Sequence, residues 1–159
     1  QGAGSVGKRL AEYLASSGAH VFISDIDKSK LSNIDNHNIT CVEDAFSVEC
    51  DLFSPCAVGA IFTKDSINNL QCKIIAGGAN NQLLDASIAE NLLKKEIVFI
   101  PDILINSGGV IGLTKDYLKR DDAETEQALR DIANRVKDLM IESQNSSISI
   151  YQALNNRSL

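Results

Sequence analysis

Gly2-Ala3-Gly4-Ser5-Val6-Gly7 is a complete G-x-G-x-x-G pattern, and Asp25 follows eighteen residues after Gly7 at the end of the apolar run Val21-Phe22-Ile23. That spacing serves dinucleotide binding. The first glycine makes a tight turn, the second lets backbone approach a pyrophosphate, and the third lets a helix pack closely on a strand. The helix then points its N-terminal N–H groups at the phosphates. A carboxylate at the position of Asp25 accepts from the ribose hydroxyls of NAD and repels the 2'-phosphate of NADP, so NAD is the expected cofactor. Asp27 is a second carboxylate able to share that role, Lys28 and Lys30 just downstream are within reach of a phosphate, and the competing reading of Asp25 is a cap on the next helix.

Three later loops are rich in small residues and amides: Ser54-Pro55-Cys56-Ala57-Val58-Gly59, Ala76-Gly77-Gly78-Ala79-Asn80-Asn81 and Pro101-Asp102-Ile103-Leu104-Ile105-Asn106-Ser107-Gly108-Gly109-Val110. Each is expected at the carboxyl end of a strand, where open α/β sheets bind ligands. Small residues there let a flat ring approach backbone, and the amides of Asn80 and Asn106 offer both a donor and an acceptor. Asn and Gly also tolerate positive φ, so turn chemistry is the competing reading, above all for Asn81. The loops contain no Lys or His placed as a base, no Ser-His-Asp arrangement and no paired metal-ligand acids. Proton-handling groups are therefore expected from outside this chain.

The elements that hold these loops follow from periodicity. Val6, Leu10, Tyr13 and Leu14 share one helical face, and Gly18 is placed to end that helix. Val21 to Ile23 reads as a strand, residues 28–39 as a short helix and loop, and Thr40 to Val42 as a further strand. The second half alternates: strand from Cys50 to Pro55, short helix from Ser66 to Leu70, strand from Lys73 to Ala76, helix from Asp85 to Lys95, strand from Ile97 to Ile100. Strands without polar alternation suit a parallel sheet covered on both faces. Beyond Pro101 a Gly-rich turn precedes helices, the longest from Asp121 to Gln144, with a break at Asn145 to Ser147 and a last helix from Ile150. The expected fold is α/β, a doubly wound and mostly parallel Rossmann-type sheet of about six strands. The glycine motif requires a strand before Gly2, and only Gln1 stands there, so the first strand is expected to be missing and the chain to be part of a longer enzyme. Residues 1–120 form the expected dinucleotide-binding unit; residues 121–159 are C-terminal helices of the same domain, reaching toward a substrate domain.

Composition narrows the function classes. With 159 residues, 44% hydrophobic and 23% charged, the chain can bury one core. A net charge of -6 and the lack of a Lys/Arg cluster argue against a nucleic-acid or anionic-membrane partner. No apolar run approaches the roughly 20 residues of a membrane span. Cytoplasm is the expected location. Cys41, Cys50, Cys56 and Cys72 are scattered singly with only His20 and His37 beside them, which makes a structural zinc site improbable and reduced thiols the expectation. No metal is expected.

The three loops, with their flanks Cys50-Asp51-Leu52-Phe53-Ser54-Pro55-Cys56-Ala57, Ala76-Gly77-Gly78-Ala79-Asn80-Asn81-Gln82-Leu83 and Pro101 to Ile111, resemble the C-terminal, NAD-binding domain of the glutamate/leucine/phenylalanine/valine dehydrogenases. Their wording is nearest the leucine, valine and phenylalanine members. The resemblance implies reversible oxidative deamination of an L-amino acid to a 2-oxo acid and ammonia, with a branched-chain substrate such as leucine. It implies that Gly2, Ala3, Gly4, Ser5, Val6 and Gly7 cradle the pyrophosphate and that Asp25 and Ile26 flank the adenosine ribose. Cys56, Ala57, Asn80 and Asn81 then fall near the nicotinamide, and Asn106 near both cofactor and substrate. Asn80, Asn106, Val136 and Leu139 are the implied substrate contacts, the last two at three-residue spacing on the long helix as apolar positions shaping the side-chain pocket.

Ser107 departs from the family's usual Ala in the N-A-G-G turn. The family's catalytic lysines and acid belong to an N-terminal domain, so no catalytic residue is assigned in this chain, which alone should bind NAD without turnover. The intact enzyme is expected to be a homo-oligomer. The alternative reading is a non-catalytic NAD(H)-binding regulatory module.

Overall fold

The computed structural model describes residues 1–157, and every strand pair among them is parallel. Helix α1 (Ser5–Ser16) leaves the glycine turn and is followed by β1 (Val21–Ile23) and β2 (Ile39–Cys41). Then come β3 (Glu49–Phe53), β4 (Gln71–Ile75), α2 (Ser87–Lys94) and β5 (Val98–Phe99). Four helices complete the chain: α3 (Asp102–Ile105), α4 (Gly108–Leu113), α5 (Asp122–Ser146) and α6 (Ile150–Arg157). Strand β1 pairs with β2, while β4 lies between β3 and β5. Expected elements recur with shifted ends: the third strand begins at Ile39 rather than Thr40, and the short helix at Ser66 is a single 3-10 turn, Ser66–Asn68.

Gln1 and Gly2 join the two sheets. The α-amino group of Gln1 donates to the Ser54 carbonyl at 2.9 Å, and the Cys56 N–H donates to the Gln1 carbonyl at 2.7 Å. On the other side the Gly2 N–H donates to the Ser24 carbonyl at 2.8 Å. The order across the molecule is therefore β2, β1, Gln1-Gly2, β3, β4, β5. Behind Gln1, the edges of β1 and β3 and the Leu10, Ala11 and Leu14 face of α1 wall a cavity of about 440 Å³. Gly2, Gly7 and Cys56 also line it, whereas Asn80, Asn106 and Asp25 do not.

Gly18 closes α1 as expected: at φ +92 it donates to the Ala15 carbonyl while Ala19 donates to that of Leu14, a Schellman ending. The buried face of α1 differs from the periodicity reading. Gly7, Ala11 and Ala15 are buried, whereas Val6 is 56% and Tyr13 73% exposed. Small residues at four-residue spacing let the helix backbone press onto the sheet, with Leu10 and Leu14 of the expected face half-buried beside them.

The main core lies between β3, β4, β5 and α2. Phe53, Phe62, Ile75, Ile88, Leu92 and Phe99 form it, with Phe62 meeting Phe53 and Phe99 edge-on at centroid distances of 6.0 and 6.3 Å. Such offset ring pairs contribute about 0.5–1.5 kcal/mol each beyond area burial. A second cluster holds Ile100, Leu104, Leu139, Ile150 and Ala153, which fastens α5 and α6 to the end of β5 and to α3. Asp121 starts α5 with a capping box: its Oδ1 accepts from the Glu124 N–H at 2.8 Å and Glu124 Oε2 accepts from the Asp121 N–H at 2.9 Å. The segment read as a Gly-rich turn after Pro101 is in fact two short helices, α3 and α4, because Asn106 and Ser107 end one and start the other while Gly108 and Gly109 continue as helix. Helix α5 runs on to Ser146 and ends at Ser147, whose φ of 53 is left-handed.

Candidate functional site: a glycine cradle and three convergent loops

The glycine turn divides its three glycines by different constraints. Gly2 has φ +95, and a Cβ there would stand 2.8 Å from the Cβ of Ala57. At Gly7 a Cβ would lie 1.9 Å from the Gly2 carbonyl oxygen, so the third glycine is required by the turn's own backbone. Gly4 is the opposite case, with nothing within 4 Å of its built Cβ. Open space over the second glycine is what an approaching pyrophosphate requires. Gly4 precedes α1, whose first turn carries neither a side-chain cap nor an acid. Its first N–H groups carry the partial positive charge of a helix N-terminus, which favours an anion.

Asp25 is buried and fixed by backbone. Oδ2 accepts from the Ala3 N–H at 2.7 Å, and Oδ1 accepts from the Asp27 N–H at 2.8 Å. Lys30 Nζ lies 3.3 Å from Oδ1 and 3.5 Å from Oδ2. The Ala3 hydrogen bond, then that of Asp27, holds the carboxyl below its ordinary value, with Lys30 adding to the effect against the opposing cost of burial. The side chain therefore ties the glycine turn to the end of β1. The helix cap belongs to Asp27 instead, which accepts from the Ser29 N–H at 3.0 Å and from its hydroxyl at 2.6 Å. Ile26, between the two acids, is fully exposed.

The three loops meet beside the turn. A Cβ on Gly77 would be 2.3 Å from the Pro55 carbonyl, one on Gly59 2.4 Å from that of Asn80, and one on Gly78 2.9 Å from Val6. The Asn81 N–H donates to Asp102 Oδ2 at 2.8 Å, and Asn81 itself sits at φ 52, so the turn requirement read from its type is present. Asn106 Nδ2 donates to Asn80 Oδ1, which joins the second loop to the third. Cys56 and Ala57 pass directly beneath the glycine turn, with Ser54 Oγ 3.6 Å from Cys56 Sγ. The glycine turn thus touches the first loop at Cys56 and Ala57, the first loop touches the second where Gly59 meets Asn80 and Asn81, and the second is tied to the third by Asn80 and Asn106.

Two of the pocket residues expected on α5 part company. Val136 is half-buried at the edge of the second core cluster, but Leu139 is only 2% exposed and packed inside it. The spacing that puts both on one side of the helix does not put both on its surface, because α6 closes over the lower turn.

Gln82 had no role assigned from its type. It is completely buried, and its Nε2 donates to the Gly77 carbonyl at 3.0 Å and the Ala79 carbonyl at 2.9 Å. It thereby fixes the curvature of the 76–81 loop. A polar residue where the amide-rich loop gives way to the apolar Leu83 and Leu84 was the available signal. Asp102 acts on the site through a partner twenty-one residues away, Asn81, and Lys30 through Asp25, five residues before it.

Thiol chemistry finds no support. All four cysteines are free, and burial pushes the Cys72 thiol up to about 11 where it faces Cys50 across β3 and β4. No group of three metal-ligating side chains exists among the described residues, and no helix among them is long and apolar enough to cross a membrane.

Residues 22–157 match the family model described as Glutamate/Leucine/Phenylalanine/Valine dehydrogenase. The chain belongs to this family. Its curated relatives include the leucine dehydrogenase of Thermoactinomyces intermedius, 39% identical over 74% of this chain and 33% of that protein. The phenylalanine dehydrogenase of Bacillus thermotolerans is 41% identical over 70% of this chain and 31% of that protein. Among solved structures, the L-tryptophan dehydrogenase from Nostoc punctiforme superposes with a TM-score of 0.90 at 30% identity, covering 98% of this chain and 48% of that one. The chain thus spans about a third of the length of these two curated relatives and about half of that structure.

Membership gives the surface its chemical context, since these relatives are amino-acid dehydrogenases and the family's reaction needs a nicotinamide nucleotide. The residues present fit such a group. A glycine turn with open space at Gly4 and a helix N-terminus without a protein acid suit a pyrophosphate. A carboxylate anchored by two N–H groups has further lone pairs, which Lys30 Nζ faces at 3.3 and 3.5 Å and which a diol would take in its place.

Proposed function

We propose that this chain is the cofactor-binding unit of an NAD-dependent L-amino-acid dehydrogenase that deaminates a branched-chain amino acid such as leucine to its 2-oxo acid and ammonia. The observation that carries the reading is the glycine turn itself, tied to the anchored Asp25 on one side and packed against Cys56 and Ala57 of the first loop on the other. The slot between β1 and β3, in line with Gln1, fits the first strand of a Rossmann sheet, and the resulting order is that of a doubly wound dinucleotide domain. Residues 1–120 are its dinucleotide-binding portion, and α5 and α6 its C-terminal helices facing a substrate domain.

In this reading the backbone of Gly2, Ala3, Gly4, Ser5, Val6 and Gly7 holds the pyrophosphate, and Asp25 accepts from the ribose hydroxyls beside the apolar surface of Ile26. Cys56 and Ala57 let the nicotinamide lie close to backbone, while Asn80, Asn81 and Asn106 orient its carboxamide and the substrate head group. Val136 faces the substrate side chain with Leu139 supporting it from within the core. A bound nicotinamide ring supplies the hydride acceptor for the substrate Cα. Positioning and exclusion of water are this chain's contribution; the remainder of the enzyme, a homo-oligomer of the cytoplasm in this reading, handles the amine proton.

The test is NADH and NADPH formation by the full-length protein with leucine, valine, phenylalanine, tryptophan and glutamate. Turnover of a branched-chain substrate with NAD is expected. Nucleotide binding without turnover of any of them would favour a regulatory module instead.

A further inference from the structure

We infer that Lys30 competes with the ribose diol for Asp25 and supplies the counter-charge for a 2'-phosphate, so that it sets how strictly this chain discriminates NAD from NADP. The inference rests on the cofactor reading above. A carboxylate presents about four lone-pair sites. Two of those on Asp25 are taken by the Ala3 and Asp27 N–H groups at 2.7 and 2.8 Å, one on each oxygen. Lys30 Nζ lies 3.3 and 3.5 Å from the two oxygens and covers the remaining site on each. A ribose with free 2'- and 3'-hydroxyls needs those same two sites as acceptors. Diol and ammonium therefore exclude one another, and NAD must displace Lys30.

The displaced ammonium has somewhere to go. Its side chain is 44% exposed, on a 3-10 turn (Lys28–Leu31) immediately beyond the carboxylate. A 2'-phosphate brings its own negative charge and cannot donate to Asp25, and the carboxylate alone would repel it. With Lys30 between them the repulsion is offset. The other charges nearby do not substitute for it: Lys28 pairs with Glu43 at 3.1 Å, and Asp27 is an exposed acid bound to Ser29. Asp27 keeps the overall preference on the side of NAD; Lys30 narrows it.

The experiment measures binding of ADP-ribose and of 2'-phospho-ADP-ribose to the full-length protein by calorimetry, for wild type, Lys30→Met and Lys30→Arg. These probes lack the nicotinamide, so the readout is independent of turnover. In Lys30→Met, ADP-ribose should bind a few-fold more tightly, since a pair whose lysine is half-exposed and 3.3 Å away is weak competition. 2'-Phospho-ADP-ribose should bind about tenfold more weakly through loss of one nearby positive charge. Lys30→Arg, whose planar fork pairs better with a carboxylate, should weaken ADP-ribose and retain the phosphorylated ligand. Equal shifts for both ligands in Lys30→Met, or none, would overturn the inference while leaving the cofactor site intact. Failure of wild type to bind either ligand would overturn the cofactor reading itself, and the inference with it.

Discussion

The side-chain amide of Asn106 donates to the side-chain carbonyl of Asn80 across twenty-six residues of sequence, and this bond fixes the spacing between the second and third loops of the candidate site. Both side chains are exposed at the bond, so it contributes little to folding but leaves the outer donor and acceptor of each amide in one orientation. Asn80→Ala and Asn106→Ala should each lower kcat/KM of the full-length enzyme while changing Tm little. The double variant should lose less than the sum of the two, by about 0.5–3 kcal/mol, because the residues act as a unit. Strict additivity in that cycle would mean that the pair does not orient ligand jointly.

The glycines of the turn make opposite predictions. Gly7→Ala places a methyl group 1.9 Å from the Gly2 carbonyl oxygen, and no flexible side chain is there to give way. It should destabilise by about 1–3 kcal/mol or more and abolish nucleotide binding through loss of the turn. Gly4→Ala meets nothing within 4 Å, and Gly4 has φ -74, which alanine adopts freely. Its Tm should be unchanged, with nucleotide affinity reduced because the methyl group occupies the pyrophosphate's approach. Thermal melts together with titration of ADP-ribose separate the two; a Gly4→Ala protein that binds normally would place the phosphates elsewhere.

Asp25 links acid stability to the same turn. Its folded pKa is held below the ordinary 3.8, first by the Ala3 N–H and next by that of Asp27. A depressed carboxylate pKa contributes stability that is complete above the unfolded value and is lost as pH falls through the folded one. Acid unfolding below about pH 4 should therefore be steeper in wild type than in Asp25→Asn. The amide can satisfy only one of the two N–H donors, so Asp25→Asn should also be less stable at neutral pH by about 1–3 kcal/mol. Parallel stability curves for the two proteins between pH 2 and 5, measured by urea unfolding, would contradict this assignment.

How far the sequence carried the reading depends on whether a residue's constraint is local. Gly2, Gly7 and Gly18 are legible because turn, close approach and helix ending each require glycine at a fixed offset, and the structure has them at +95, a 1.9 Å contact and +92. The convergence of Pro55, Gly77 and Asn80 follows from their shared place after parallel strands. The buried side of α1 was hidden because periodicity selects large apolar residues, whereas contact with the sheet selects Gly7, Ala11 and Ala15. Leu139 looked like Val136 by type and spacing; only the position of α6 distinguishes core from surface. Lys30 and Gln82 act on partners only three to five residues away, a carboxylate at the end of β1 and two carbonyls of one loop, but the contact depends on how the intervening turn folds back, which residue type alone does not specify.

Gln82 provides the sharpest separation of architecture from chemistry. Its Nε2 donates to both the Gly77 and the Ala79 carbonyls, while its own Oε1 is buried without a partner. Gln82→Leu keeps volume and removes that unsatisfied oxygen, which favours the variant, but it also strands two carbonyls, each costing about 1–3 kcal/mol when buried unpaired. The second effect is larger, so a net loss of roughly 1–4 kcal/mol is expected by urea unfolding. The loop carries Asn80 two residues before Gln82, and its curvature sets where that amide points. Gln82→Leu should therefore raise KM for nucleotide even at temperatures where the protein remains folded. A variant as stable as wild type but with weakened nucleotide binding would still fit a positioning role; one destabilised with normal binding would confine Gln82 to the core.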